Sequence, residues 1–99
     1  MGDKYKVLIV EDEVLVRGGL KSVISWGKLG MEIIGDAANG RAALEIYEKD
    51  RPDIILTDIK MPVMDGLEMI ARIRETDEKT KIVILTCYEE FVYLQEAMR

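Results

Sequence analysis

Three short stretches stand directly behind apolar runs and carry the oxygen-rich side chains of this chain: Glu11-Asp12-Glu13, Thr57-Asp58 and Thr86-Cys87-Tyr88. Carboxylates gathered from two such stretches suit a hard divalent cation. Mg²⁺ takes one or two carboxylates and fills the rest of its octahedron with waters and phosphate oxygens. Glu11, Asp12 and Asp58 brought together without a counter-charge would repel one another strongly, and a bound cation is the simplest remedy. The opposing reading is that strand-end acids are common in an acidic protein and are merely solvated. A Glu-Asp pair alone is a weak motif. The stretch D-I-K-M-P-V-M-D-G from Asp58 to Gly66 strengthens the first reading. Pro62 fixes its own φ and holds Met61 extended, and Asp65-Gly66 signals a turn and a helix start, so Asp58 is expected at a fixed place.

Composition removes the competing chemistries. There is no histidine and a single cysteine, Cys87. That excludes Ser-His-Asp and Cys-His nucleophiles, a histidine general base, imidazole-ligated zinc, an internal disulfide and a multi-cysteine metal site. Fourteen Lys and Arg against nineteen Asp and Glu give a net charge of −5, the wrong sign for wrapping a phosphate backbone. No apolar run approaches the roughly 18 residues of a membrane span, and no secretory leader is evident. A cytoplasmic chain without direct nucleic-acid or membrane contact is expected. Its 99 residues fit a single domain.

The elements that must position these residues alternate in type. Tyr5 to Val10, Asp53 to Leu56 and Lys81 to Leu85 are short apolar runs of the kind found in parallel strands covered on both faces, and Met31 to Ala38 is a weaker one suited to a sheet edge. Between them lie helical spacings. Val16, Leu20, Val23 and Ile24 share a face, although Gly18 and Gly19 each weaken that helix by about 1 kcal/mol. Asn39 is placed to N-cap a helix from Gly40 to Lys49 with Ala43, Leu44 and Tyr47 inward, stopped by Arg51-Pro52. A third helix, Gly66 to Glu75, is expected to bury Leu67, Ile70 and Ala71, with Met61 and Met64 packing onto it. A fourth begins near Glu89 with Phe91, Leu94 and Met98 on one face. The order β-α-β-α-β-α-β-α with right-handed crossovers predicts a doubly wound parallel sheet with ligands binding beyond the carboxyl ends of its strands; it does not fix strand order, for which the flavodoxin-like 2-1-3-4, the order expected here, is one of two common solutions. Trp26 and Cys87 read as packing residues.

The blocks V-L-I-V-E-D-E (Val7 to Glu13), D-I-K-M-P-V-M-D-G (Asp58 to Gly66) and I-L-T (Ile84 to Thr86) together resemble the receiver domain of bacterial two-component response regulators. The segment T-C-Y-E-E-F-V-Y-L-Q-E-A from Thr86 to Ala97 further resembles receivers joined to AraC-type helix-turn-helix output domains. The resemblance implies the CheY-like form of the fold. It implies that Asp58 accepts a phosphoryl group from a sensor histidine kinase, whose histidine supplies the one missing here. It implies Mg²⁺ held by Asp12, Asp58 and the backbone carbonyl of Lys60, with Glu11 acting mostly through water. Thr86 would hydrogen-bond the phosphoryl group and, with the fourth helix, relay the change to an output DNA-binding domain. Phe91, Tyr93 and Leu94 become candidate signalling residues, and Lys60 and Tyr88 tune phosphoryl lifetime. Such a module is a switch that assists its own phosphorylation and dephosphorylation rather than an enzyme. A carboxylate nucleophile and a charge-neutralising metal suit phosphoryl transfer.

The family pattern continues with a fifth strand, a lysine-proline pair and a fifth helix that this sequence does not contain, so residues 1–99 read as a C-terminally incomplete receiver. The apolar face thereby uncovered predicts marginal stability or association as a homodimer or exchanged oligomer. Two alternatives stay open. One is an interaction module unable to accept a phosphoryl group. The other is a Mg²⁺-dependent phosphohydrolase of the haloacid-dehalogenase type, against which Asp58-Ile59-Lys60 lacks the second acid of D-x-D.

Overall fold

The four apolar runs form parallel strands β1 (Tyr5–Val10), β2 (Met31–Ala37), β3 (Ile54–Thr57) and β4 (Lys81–Ile84), and the helical spacings form α1 (Val14–Val23), α2 (Gly40–Asp50) and α3 (Gly66–Arg74). A 3-10 turn over Trp26–Leu29 leads into β2. The structure, a computed structural model, describes residues 4–85. Thr86, Cys87, Tyr88 and the expected fourth helix with Phe91, Tyr93 and Leu94 lie outside the described residues.

The strands are all parallel, as the alternation of elements predicts, and their order β2-β1-β3-β4 is the flavodoxin-like one of the two common solutions. β1 is flanked on both sides, and Val7 to Val10 are all fully buried. Strand alternation splits them between two cores. Leu8 and Val10 join Ile55, Ala43, Tyr47, Met64, Met69 and Ile73 beneath α2 and α3. Val7 and Ile9 join Leu56 on the other face, with Leu20 and Trp26 packed against them. Each such aliphatic side chain contributes roughly 1.5–3 kcal/mol by leaving water. β2 lies at the edge, as its glycine and charges suggest. Its register against β1 slips between Val7 and Leu8, which pair with Ile33 and Gly35.

Local signals account for the helix ends. Asn39 caps α2, its Oδ1 accepting from the Ala42 N–H at 2.9 Å. Arg51 ends α2 in the left-handed region at φ 44° and donates its N–H to the Tyr47 carbonyl. Trp26 is structural as expected, donating Nε1–H to the Leu20 carbonyl at 3.0 Å while packing on the second core.

Two helical faces differ from expectation. α3 buries Gly66, Met69 and Ile73, whereas Leu67 and Ile70 are half-buried and Ala71 is exposed. The helix is turned so that Gly66 meets the backbone of Asp58. In α1 no residue is buried. Val16 and Val23 are 41% and 80% exposed, and only Leu20 among the expected four packs on a core cluster.

At the amino ends of the strands a polar network ties α2 to the α3–β4 connection. The Tyr47 hydroxyl donates to Asp77 Oδ2 at 2.6 Å, Arg51 Nη1 donates to that hydroxyl, and Asp77 Oδ1 accepts the Lys79 and Thr80 N–H groups. The Thr80 hydroxyl, then Tyr47, hold the Asp77 carboxyl well below the usual carboxylate range.

Candidate functional site

The acids assemble because β1 and β3 are neighbours. Past the last residue of β1, Glu11 continues the ladder by donating its N–H to the Ala37 carbonyl at 2.9 Å. Past β3, Asp58 donates its N–H to the Val10 carbonyl at 3.0 Å, one residue from Glu11. Carboxylate oxygens of Glu11, Asp12 and Asp58 thereby lie within 4.8 Å of one another, Glu11 buried and Asp58 half-buried. Burial, and then the hydrogen bond with the Asp12 side chain and the charges of Asp58 and Asp12, push the Glu11 carboxyl up to about 7, opposed by the Glu13 N–H that donates to its Oε2 at 3.0 Å. Three oxygen donors at one rim, one of them resisting ionisation, form a donor set suited to a hard divalent cation.

The Asp58 carboxylate is oriented by its neighbours. Oδ1 accepts the Ile59 N–H at 2.7 Å, and the Thr57 hydroxyl donates to the Asp58 carbonyl at 2.8 Å. The loop that follows is anchored at both ends. The Gly66 N–H donates to the Ile59 carbonyl at 2.7 Å, and Asp65 Oδ1 caps α3 by accepting the Glu68 N–H at 2.8 Å. Gly66 has no alternative: a Cβ there would sit 2.2 Å from the Asp58 carbonyl oxygen. Between these anchors Val63 adopts φ 68°, the left-handed region that a β-branched residue avoids.

Two residues at the rim carried no functional signal in the sequence. Gly40, read only as the first residue of α2, donates its N–H to the Met64 carbonyl at 2.8 Å and so ties the loop to β2–α2. Its Cβ would lie 2.8 Å from the same oxygen, and the Asn39-Gly40 pair was the available hint. Arg17 donates from Nη1 to the Glu11 carbonyl at 2.5 Å, a contact six residues apart that no local pattern marks. Of the residues expected at the site, Glu11, Asp12 and Asp58 are brought together. Lys60 is exposed in the loop two residues past Asp58. A concavity of about 430 Å³ lined by Tyr5, Met31, Ile54 and Lys81 opens at the opposite end of the strands and includes none of the three acids.

Residues 7–99 match the response regulator receiver domain. The chain belongs to that family. Receiver domains are the signalling switches of two-component systems, and the sheet, its helices and the acidic rim are this family's arrangement. The chain is 39% identical over 95 residues to the transcriptional regulatory protein YesN of Bacillus subtilis, covering 96% of this chain and 26% of YesN. It is 41% identical over 92 residues to sporulation initiation phosphotransferase F of Bacillus subtilis, covering 93% of this chain and 72% of that protein. The receiver domain of AraT, a response regulator from Geobacillus stearothermophilus, superposes with a TM-score of 0.87 at 39% identity, covering 96% of this chain and 74% of that one. The chain thus spans about a quarter of YesN's length. Among the described residues no helix is long and apolar enough to cross a membrane.

Proposed function

We propose that this chain is a phosphorylation-dependent switch in which Asp58 accepts a phosphoryl group from the phosphohistidine of a sensor kinase. The observation that carries the reading is the convergence of Glu11, Asp12 and Asp58 within 4.8 Å at the carboxyl rim, with Asp58 half-exposed. In the transfer an Asp58 carboxylate oxygen bonds to phosphorus as the phosphorus–nitrogen bond of the donor breaks, and the imidazole recovers its proton from solvent. The Ile59 N–H fixes the carboxylate rotamer, and the anchored loop holds the attacking group in place, which is most of what a protein contributes to phosphoryl transfer. Asp12, Asp58 and the Lys60 carbonyl would hold Mg²⁺, with Glu11 acting through water. Mg²⁺ bound there supplies neutralising charge for the transferring oxygens.

Thr86 would accept the task of hydrogen-bonding the phosphoryl group, and the fourth helix that of passing the change to an AraC-type DNA-binding output. Autodephosphorylation, a cytoplasmic setting and residues 1–99 acting as one receiver unit belong to the same reading. Family membership favours it over the haloacid-dehalogenase alternative. Leu15 and Val23 on α1, 89% and 80% exposed, support self-association through that face, and sedimentation as a monomer at micromolar concentration would refute that part.

The test is incubation with Mg²⁺ and acetyl phosphate followed by intact mass. A phosphoryl adduct that disappears in Asp58→Asn is expected. A folded protein that gains no mass at millimolar donor refutes phosphotransfer.

A further inference from the structure

We propose that Arg17 is a positioning residue for the acidic rim, orienting the Glu11–Asp12 peptide by bridging the Glu11 carbonyl to Asp36 on β2. The inference rests on the reading of the rim as a Mg²⁺ site. β1 ends at Val10, so Asp12 leaves the sheet in a direction set by the peptide that precedes it. The N–H of Glu11 is held by Ala37 at 2.9 Å, and its carbonyl accepts from Arg17 Nη1 at 2.5 Å. With both the N–H and the carbonyl of Glu11 held, the peptide that carries Asp12 leaves the sheet in a set direction.

The guanidinium is itself held. Its Nε pairs with Asp36 Oδ1 at 3.1 Å, and the other Asp36 oxygen takes Lys21 Nζ at 2.7 Å. The Arg17 side chain is 18% exposed, far less than a solvated surface arginine, while that of Lys21 is 44% exposed. Charge-assisted bonds of this kind are about twice as strong as neutral ones. A second observation gives Arg17 weight at this junction. The α1 N-cap residue Glu13 makes no side-chain cap hydrogen bond and α1 has no buried residue, so the start of α1 is held to the rim by the Glu13 N–H on Glu11 Oε2 and by Arg17 rather than by a core. The planar fork reaches the Glu11 carbonyl and Asp36 together, which a lysine ammonium cannot reproduce.

Arg17→Lys separates geometry from charge, because removing a cation would by itself favour Mg²⁺. Isothermal titration of the full chain with Mg²⁺ is expected to show about tenfold weaker binding in Arg17→Lys, the scale of lost outer-shell partners. Asp36→Asn should lose less. In the metal-free protein, amide hydrogen exchange at Asp12 and Glu13 should accelerate in Arg17→Lys while the core amides of Leu8 and Ile55 stay as in wild type. Unchanged Mg²⁺ affinity in Arg17→Lys overturns the proposal, as does an equal acceleration of the core amides, which marks a merely structural role. Wild-type protein that binds no Mg²⁺ overturns the rim reading and this proposal together, whereas wild-type binding abolished by Asp12→Asn but untouched by Arg17→Lys overturns this proposal alone.

Discussion

Gly66→Ala tests whether the loop after β3 positions Asp58. The added Cβ would stand 2.2 Å from the Asp58 carbonyl oxygen, 3.1 Å from Ile59 Cα and 3.2 Å from the Asp58 carbonyl carbon. All three are backbone atoms, so no flexible side chain can step aside. Bringing the nearest contact to 3.0 Å, below which real Cβ contacts are essentially unknown, requires a displacement of at least 0.8 Å. Overpacking of this kind costs about 1–3 kcal/mol, and stretching the Gly66 N–H bond to Ile59 adds about 1 kcal/mol. The expected loss is therefore about 3 kcal/mol, read as the shift of the urea midpoint. The displaced backbone carries the phosphoacceptor, and a misplacement near 1 Å slows a positioned reaction by on the order of 100-fold. The rate of adduct formation with acetyl phosphate at saturating Mg²⁺ measures that.

A control comes from the same amino acid in another place. Gly18 and Gly19 on α1 have nothing within 4 Å of an added Cβ, so alanine there should stabilise by up to about 1 kcal/mol and leave the rate unchanged. If Gly66→Ala matched wild type in both stability and rate, the loop would not hold Asp58 in the manner argued.

Replacing Val63, held at φ 68°, with asparagine should raise stability by about 1 kcal/mol, because Asn tolerates the left-handed region that costs other residues about 1–2 kcal/mol; an unchanged or lower urea midpoint counts against strain there. Glu11 is protonated more readily in the folded state, from an ordinary 4.5 up to about 7, so without metal the folded state binds the extra proton across that window and stability falls as pH rises through it. At about 1.4 kcal/mol per pKa unit the fall is at most about 3–4 kcal/mol; Glu11→Gln should flatten it in urea titrations with EDTA at pH 5 and pH 8. The depressed Asp77 carboxyl works in the opposite sense: its contribution is present above the ordinary carboxylate range near 4 and is lost as pH falls, so Asp77→Asn should be less stable at neutral pH and show a shallower loss on acidification.

Much of the fold was legible because its signals are local. The Asn39 and Asp65 caps, the stop at Arg51-Pro52 and the short β-rich runs each depend on a few adjacent residues, and the open parallel sheet follows from their alternation, whereas the crossover rule leaves two common strand orders. The position of Asp58 was legible for the same reason, since Pro62 and Asp65-Gly66 stiffen one contiguous loop. The buried face of α3 was not. Apolar residues at 67, 69, 70, 71 and 73 allow more than one stripe on a nine-residue helix, and the choice is made by Gly66 seating against Asp58, a contact from another element. The α1 face misled for a related reason. Its spacing is that of a core helix, yet Val16 and Val23 are exposed among the described residues, because amphipathic pattern states what a helix can bury and not what lies beside it. Gly40 and Arg17 act on Met64 and Glu11 through space, and their residue types alone carry no such information.

The distribution of cost over the molecule argues for a functional rim independently of any motif. Away from the rim, polar groups are satisfied: among the described residues no buried side-chain nitrogen or oxygen lacks a hydrogen-bond partner, and the Asp77 network pairs each of its members. At the rim the chain departs from what stability favours. A buried acid sits beside two others, a valine holds a left-handed backbone conformation, and a glycine contact admits no side chain. All three fall on the segments that follow β1 and β3, while the other left-handed non-glycine residue, Arg51, serves as the C-cap of α2 away from the rim. Strain and like-charge clustering persist where a site needs them, and a merely solvated acidic surface would need neither. The two accounts diverge in one variant. If the rim acids are incidental, Glu11→Gln changes Mg²⁺ binding and metal-free stability independently. If the rim is a site, the same substitution raises metal-free stability at pH 8 and weakens Mg²⁺ binding together, because one negative charge both destabilises the unliganded fold and attracts the cation.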